Sequence, residues 1–324
     1  MAPSAKVQGP LVPRGEGRVV YLCQWTGTSG GIQVLYEHVR LLRGHGVPAL
    51  LGAHGPFRRC SWFANDPSST PALDDCLAKL RCDDVLVTPE ICIGAPELDA
   101  IPARRVAFVQ NPALLRTGLD GYARALVPAW ALVPWLRRTT AFTGGIEVVP
   151  GFLHAEFLQP PRSFARARPR VLLVDRPDKN QGEPARVRDR LRQRGGIEVT
   201  YVDHPMPRDE FVRLFRTHDA YLHLSHPEGF PISILEAFGA GCLVVGFAGI
   251  GGLEFMRDRV NCFVVADGDA DGVVGVLDGA LARSPLELDA VLHAARETAR
   301  AFPEQATAGA LVRVFARDPT AARA

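Results

Sequence analysis

The stretch AYLHLSHPEGFPISILEAFGAGCLVVGF (220–247) decides the fold. AYLHLS (220–225) is a short apolar run of strand length, and CLVVGF (242–247) is a second. Between them, residues 231–239 carry a helical pattern that begins at Pro231. Proline suits a first helical turn, because its φ is preset and its missing N–H costs nothing there. Apolar strands separated by a helix predict a parallel sheet covered on both faces.

The alternation continues outward. NCFVVA (261–266) adds a strand, and helices fill much of 269–316. Upstream come VLLVD (171–175), a charged helix over 183–194, IEVTYVD (197–203) and a helix over 207–216. Before these, PGFLHAEFLQPPRSFARARPR (150–170) has four prolines, no helical period and a basic tail, and reads as a connection between domains. A second series precedes it: RVVYLC (18–23), VPALLGA (47–53), DDVLVT (83–88), RVAFVQ (105–110), ALVPA (125–129) and IEVVP (146–150). GGIQVLYEHVRLL (30–42) places Ile32, Leu35, Val39 and Leu42 at helical spacing.

The expected fold class is α/β, with two Rossmann-like, doubly wound parallel-sheet domains facing a central cleft. The expected boundaries are a flexible leader (1–17), a first domain (18–150), a linker (151–168), a second domain (169–300) and a last helix (301–324) that packs back on the first domain. Open sheets of this kind bind ligands at the carboxyl ends of their strands.

The length of 324 residues fits about two domains. Hydrophobic content of 47% and charged content of 22% exclude global disorder. A net charge of +2 gives no electrostatic footprint for a nucleic-acid partner. Seven scattered cysteines without a Cys-x-x-Cys read as buried, reduced thiols of a cytoplasmic protein. The N-terminal residues lack the apolar segment of a secretory signal. No run reaches the ~18 apolar residues of a membrane span. ALVPAWALVPW (125–135), interrupted by two prolines, allows at most peripheral membrane contact.

Glu228 follows a strand end, and Glu236 lies inside the helix that begins at Pro231. Backbone N–H groups around Gly229, Phe230, Ile232 and Ser233, with the positive end of the helix dipole, suit a phosphate. Gly229 allows close backbone approach. Carboxylates would repel phosphate, but they accept hydrogen bonds from diols. A ligand with phosphates in the middle and polyols at both ends is a nucleotide sugar. Alone, each glutamate also fits a plainer role, Glu228 as an acid near a helix start and Glu236 as a solvent-facing helix residue.

The segment SHPEGFPISILEAFGAGCLVVGFAGIGGLEF (225–255) resembles the donor-binding segment of the retaining family 4 glycosyltransferases, which have the GT-B fold. Their Glu-x7-Glu signature and the elements after it correspond to Glu228, Glu236, Ala237, Gly241, Gly251, Gly252 and Glu254. The resemblance implies that Glu236 contacts the nucleotide ribose and Glu228 the donor sugar. It implies that backbone groups from Gly229 through Phe230, Pro231 and Ile232 to Ser233 receive the diphosphate. VVPGFLHAEFLQP (148–160) resembles the family's interdomain connection without its Asn-Gly. In GTSGGIQVLYEHVRLLRGHGV (27–47), Gly30 and Gly31 would let the backbone approach the donor phosphate. That loop is not a Gly-x-Gly-x-x-Gly dinucleotide fingerprint. The family's phosphate-clamping Arg and Lys correspond to Arg176 and Lys179, here three positions apart instead of five. Gln110 and Asn111 resemble a subgroup carrying Gln-Asn at a cleft-facing position. Glu90, after a strand end, either holds an acceptor or caps a following helix.

His218, His223 and His226 do not converge on a cation by spacing, and no metal or other cofactor is expected. The implied activity is retaining, metal-independent transfer of a sugar from a nucleoside diphosphate sugar to a hydroxyl acceptor. Two rivals remain open: a GT-B nucleotide-sugar epimerase, and a non-catalytic nucleotide-sugar-binding partner of another glycosyltransferase. The acceptor has no readable code, although loops 53–70 and 112–122 would shape its site.

Overall fold

The structure, a computed structural model, describes residues 17–23, 29–53, 70–164, 168–177 and 179–316. The expected leader, except for Gly17, and nearly all of the 53–70 loop lie outside the described residues.

Two all-parallel sheets are present. The first contains Val19–Cys23 (β1), Ala49–Ala53 (β2), Val85–Pro89 (β3), Arg104–Phe108 (β4), Arg124–Val127 (β5) and Gly145–Val148 (β6). Its order is β2-β1-β3-β4-β5-β6, with Val19 paired to both Ala49 and Val85. The second contains Arg170–Val174 (β7), Glu198–Val202 (β8), Ala220–His223 (β9), Leu243–Phe247 (β10) and Phe263–Val265 (β11), in the order β11-β10-β9-β7-β8. Strands β1, β3, β9 and β10 are buried along their whole length, which is why they read as largely apolar runs.

The helices are Gly30–Gly44 (α1), Leu73–Ala78 (α2), Leu132–Thr140 (α3), Glu183–Arg194 (α4), Arg208–Thr217 (α5), Ile232–Ala240 (α6), Ala270–Leu281 (α7), Pro285–Arg300 (α8) and Glu304–Phe315 (α9). Local chemistry fixes several ends. Ser29 caps α1 by accepting from the Ile32 N–H, and Ser284 with Glu287 forms a capping box on α8. Gly241, at φ 78°, ends α6 in the left-handed conformation. Helix α6 is buried on nearly every side, so it behaves as a core element rather than an amphipathic surface helix. Among the described residues no helix is long and apolar enough to cross a membrane.

Contacts divide the chain into two compact units. The first holds both sheet strands and helices up to residue 149, apart from 129–132, together with the chain from Gln305 onward. Within it, Phe315 of α9 meets Tyr21 of β1 edge-on, with ring centroids 6.4 Å apart. The second unit holds 129–132 and 150–304. The stretch 150–164, read above as a connection, is packed on this second unit. Leu153 donates to the Phe302 carbonyl, Gln159 donates to Gly239, and Phe157 is fully buried. Arg162 ties down the carbonyls of Arg216, His218 and Gly241 at the ends of α5 and α6.

Each sheet reverses its winding once. In the first, the chain runs outward from β1 to β2 and then crosses to β3; in the second, it runs from β7 to β8 and then crosses to β9. The loops leaving β1 and β3, and those leaving β7 and β9, therefore diverge and leave a crevice at the carboxyl ends of these strands.

Candidate functional site

The second unit's crevice collects the charged residues. Strand β7 ends at Val174, and the chain turns sharply. Asp175 accepts from the Tyr201 hydroxyl and from Asn180 Nδ2, at 3.0 Å in the latter case. Asn180 Nδ2 also reaches the Arg176 carbonyl at 2.7 Å. The Lys179 N–H donates to that same carbonyl at 2.7 Å, and His226 N–H donates to the Lys179 carbonyl at 2.8 Å. This turn carries Arg176 and Lys179, and the bond from His226 ties it to the loop that leaves β9.

That loop carries Glu228. Lys179 Nζ lies 2.8 Å from Glu228 Oε1, with both side chains largely shielded from solvent. The Glu228 carbonyl accepts the N–H groups of Ile250 and Gly251 at 3.1 and 3.0 Å. Gly251 is there for space, since a Cβ would lie 1.7 Å from the Gly229 oxygen. The Gly-Gly turn, Gly251–Glu254, thus backs directly onto the residues that lead into α6.

At the start of α6 the structure sorts the expected backbone donors. Gly229, Phe230 and Ser233 have N–H groups with no protein acceptor among the described residues. Ile232 differs: its N–H donates to the Phe230 carbonyl at 2.9 Å, because Pro231 sits at φ −74°, ψ 80° and closes a tight turn. Ile232 is therefore not a free donor. The Phe230 ring packs between Phe255 and Phe302, with centroids 5.4 and 5.8 Å away, and anchors the loop. Ser233 Oγ lies 3.2 Å from the Tyr221 hydroxyl and 3.4 Å from His223 Nδ1. His223 is buried, which holds its pKa down at about 4, so the ring is neutral near pH 7.

Glu236 is not solvent-facing. It is 2% exposed, and burial pushes its pKa up while the Arg208 guanidinium opposes that shift. Arg208 Nη2 reaches Glu236 Oε1 at 3.1 Å, and Arg208 Nε reaches Glu156 at 2.6 Å. The guanidinium also lies over the Phe157 ring, 4.8 Å from its centroid. The second carboxylate oxygen of Glu236 makes no hydrogen bond among the described residues. The sequence reading missed Arg208. Its signal was a cation at the first position of a helix, where the dipole disfavours it unless an acid partner is near.

The remaining candidates lie in the first unit. Gly30 and Gly31 open α1, and the Gly31 carbonyl accepts from Gln110 Nε2 at 3.2 Å. Asn111 Oδ1 caps the turn Pro112–Leu114 through the Ala113 N–H. Glu90 caps no α-helix. It is 5% exposed, and its carboxylate receives the N–H groups of Gln110 at 3.1 Å and Asn111 at 2.9 Å. No α-helix follows it, only the short turns Glu90–Cys92 and Pro96–Leu98.

The three histidines go to separate partners: His218 to Thr200 and the Leu214 carbonyl, His223 to Tyr221 and Ser233, His226 to Glu183.

Residues 165–298 match the family model described as glycosyl transferases group 1. The match covers less than half of the chain and includes the whole β7-to-α6 site. No curated protein matches the sequence. Among solved structures, the chain is similar to sucrose-phosphate synthase from Thermosynechococcus elongatus, with 14% identity, a TM-score of 0.67, and coverage of 90% of this chain and 96% of that one. The pneumococcal O-GlcNAc transferase GtfA, in complex with UDP and GlcNAc, gives 10% identity, a TM-score of 0.67, and coverage of 90% and 97%. HepE from Anabaena, in complex with UDP and glucose, gives 15% identity, a TM-score of 0.61, and coverage of 90% and 97%. These likenesses establish the fold: two parallel-sheet α/β domains of the GT-B type, with six and five strands.

Proposed function

We propose that this protein is a retaining glycosyltransferase that moves a sugar from a nucleoside diphosphate sugar to a hydroxyl acceptor. The observation that carries the reading is the Lys179–Glu228 ion pair at the β7/β9 switch point, beside the unpaired backbone donors that open α6. One cation and several N–H groups suit a diphosphate, and the adjacent carboxylate suits a sugar hydroxyl. The bound UDP and sugar of GtfA and HepE support UDP as the first nucleotide to try.

In this reading the N–H groups of Gly229, Phe230 and Ser233 take the diphosphate at the positive end of α6. Lys179 and Arg176 neutralise the charge that builds on it as the bond from C1 to the phosphate oxygen breaks. The free oxygen of Glu236 accepts from a ribose hydroxyl, while Arg208 holds the other. Glu228 orients the sugar and favours the positive charge developing at C1. The acceptor oxygen then bonds to C1 on the face the diphosphate leaves, and its proton passes to the departing phosphate oxygen. Configuration is thereby retained, and no covalent enzyme intermediate forms. Lys179, Arg176 and the helix end supply the neutralising charge, so the reaction runs without a metal ion. Buried thiols at Cys76, Cys92, Cys242 and Cys262, none of them in a disulfide, favour a cytoplasmic location.

The test is turnover of UDP-glucose and UDP-GlcNAc in the presence of a chelator, with product configuration read by NMR. Release of UDP with an α-linked product supports the reading. An inverted product, or epimerised donor as the sole product, defeats it.

A further inference from the structure

The first unit has a notch of about 310 Å³ lined by Glu90, Ile91, Ile93, Leu114 and Arg116. It lies where β3 and β4 end, at the carboxyl edge of the first sheet and one strand away from the β1/β3 winding reversal. Its walls are the turns Glu90–Cys92 and Pro112–Leu114. The Glu90 carboxylate clamps them together through the backbone N–H groups of Gln110 and Asn111, so the notch is preformed.

Glu90 and the side chains of Gln110 and Asn111 are engaged inside the loop structure. What remains toward solvent is aliphatic: Ile91 is 51% exposed and Leu114 38%. Arg116 is exposed and makes no ion pair or hydrogen bond among the described residues. A free sugar needs several donors and acceptors around its ring. This notch offers an apolar wall and one cation, and its volume matches a small ligand.

We propose that this notch is the acceptor subsite, and that the acceptor is a hydroxylated compound with an apolar body and one acidic group. The assignment rests on the glycosyltransferase reading above for the word acceptor. The ligand class rests on the notch alone. The apolar body lies on Ile91, Ile93 and Leu114, and the acid pairs with Arg116 as a charge-assisted, two-pronged contact.

The probe is 6-hydroxy-2-naphthoate, followed by its own fluorescence, with 2-naphthol as the uncharged counterpart and methyl glucoside as a sugar control. Calorimetry with UDP is run on the same full-length samples. The naphthoate is expected to bind at least about tenfold more tightly than 2-naphthol. Arg116→Gln should remove that difference while leaving 2-naphthol within about twofold. Leu114→Asp should weaken both. Neither side chain is buried, so UDP affinity should not move. Equal binding of acid and naphthol, indifference to Arg116→Gln, or displacement of the naphthoate by methyl glucoside would overturn the proposal. UDP binding without naphthoate binding overturns this proposal and leaves the glycosyltransferase reading standing. Arg116-dependent naphthoate binding without UDP binding keeps the ligand class and removes the glycosyltransferase reading.

Discussion

Lys179 Nζ stands 2.8 Å from Glu228 Oε1, so the cation expected to hold phosphate is already bound to the carboxylate expected to face the sugar. The pair links two loops that the chain separates by 49 residues. Removing either charge should therefore have opposite effects on binding. Glu228→Gln frees Lys179 for the diphosphate, so UDP should bind as tightly as before or more tightly. Turnover should nevertheless fall about 100-fold, the loss typical of one preorganised electrostatic contact. Lys179→Met leaves a lone carboxylate beside the phosphates and should weaken UDP about tenfold. Calorimetry and initial rates on the two variants check this. A Glu228→Gln enzyme that loses UDP affinity in step with turnover would contradict it.

Arg208 and Glu236 form the second such pair, 28 residues apart and far more deeply buried. Breaking a buried pair from one side costs about 3–5 kcal/mol, because the remaining charge is left uncompensated. Arg208→Met should approach that loss in urea unfolding. Glu236→Gln should cost less, since an amide can still accept from Arg208. The double variant should recover part of the Arg208→Met loss. Additive losses would show that the two side chains do not depend on each other.

The sheet was readable from sequence because both of its faces are covered, which makes parallel strands continuous apolar runs. The cost of that signal is vague ends: DDVLVT was expected at 83–88 and the strand is Val85–Pro89. Helix α2, six residues long, is too short to show a period and was not anticipated. The two glutamates of the site were visible because the local pattern of loop, proline and helix carries chemical meaning. Arg208, the partner of Glu236 across 28 residues, left only the trace of a cation at a helix start, and the pairing of Glu90 with the backbone of Gln110 and Asn111, 20 and 21 residues away, left none. The closed Ile232 donor depends on the ψ of Pro231, which composition does not reveal.

His223 gives a pH dependence with a definite sign. Burial lowers its pKa from 6.5 to about 4, with the Glu228 carboxylate pulling it up and Lys179 pushing it further down. Above pH 6.5 the ring is neutral whether the chain is folded or not, and it contributes no slope. Between pH 6.5 and about 4 the unfolded chain takes a proton that the folded one refuses, so stability falls as pH falls. The full loss is about 3 kcal/mol at 1.36 kcal/mol per pKa unit. His223→Gln should flatten this part of the profile in urea titrations at a series of pH values. Buried His38, with its pKa held near 3, titrates alike in both proteins and cancels in the comparison. A variant whose stability still falls as steeply as wild type from pH 6.5 to 4 would rule out this account.

Gly251 tests whether the Gly-Gly turn shapes the phosphate end of α6 or merely fills space. An alanine Cβ there would lie 1.7 Å from the Gly229 oxygen and 2.9 Å from the Phe230 nitrogen. Both neighbours are backbone, so the strand of chain from Glu228 to Phe230 must move, and with it two of the three unpaired N–H groups. The turn lies at one end of the second unit, and the sheet core built on Val171, Leu173, Leu222 and Val245 is untouched. Gly251→Ala should therefore lower UDP affinity at least about tenfold while the unfolding transition persists at a reduced midpoint. Gly275→Ala is the control, since nothing lies within 4 Å of its added Cβ, and it should leave UDP binding unchanged. Calorimetry and urea unfolding on the two variants separate the cases. UDP binding retained in Gly251→Ala would mean that the diphosphate does not sit against residues 229–230.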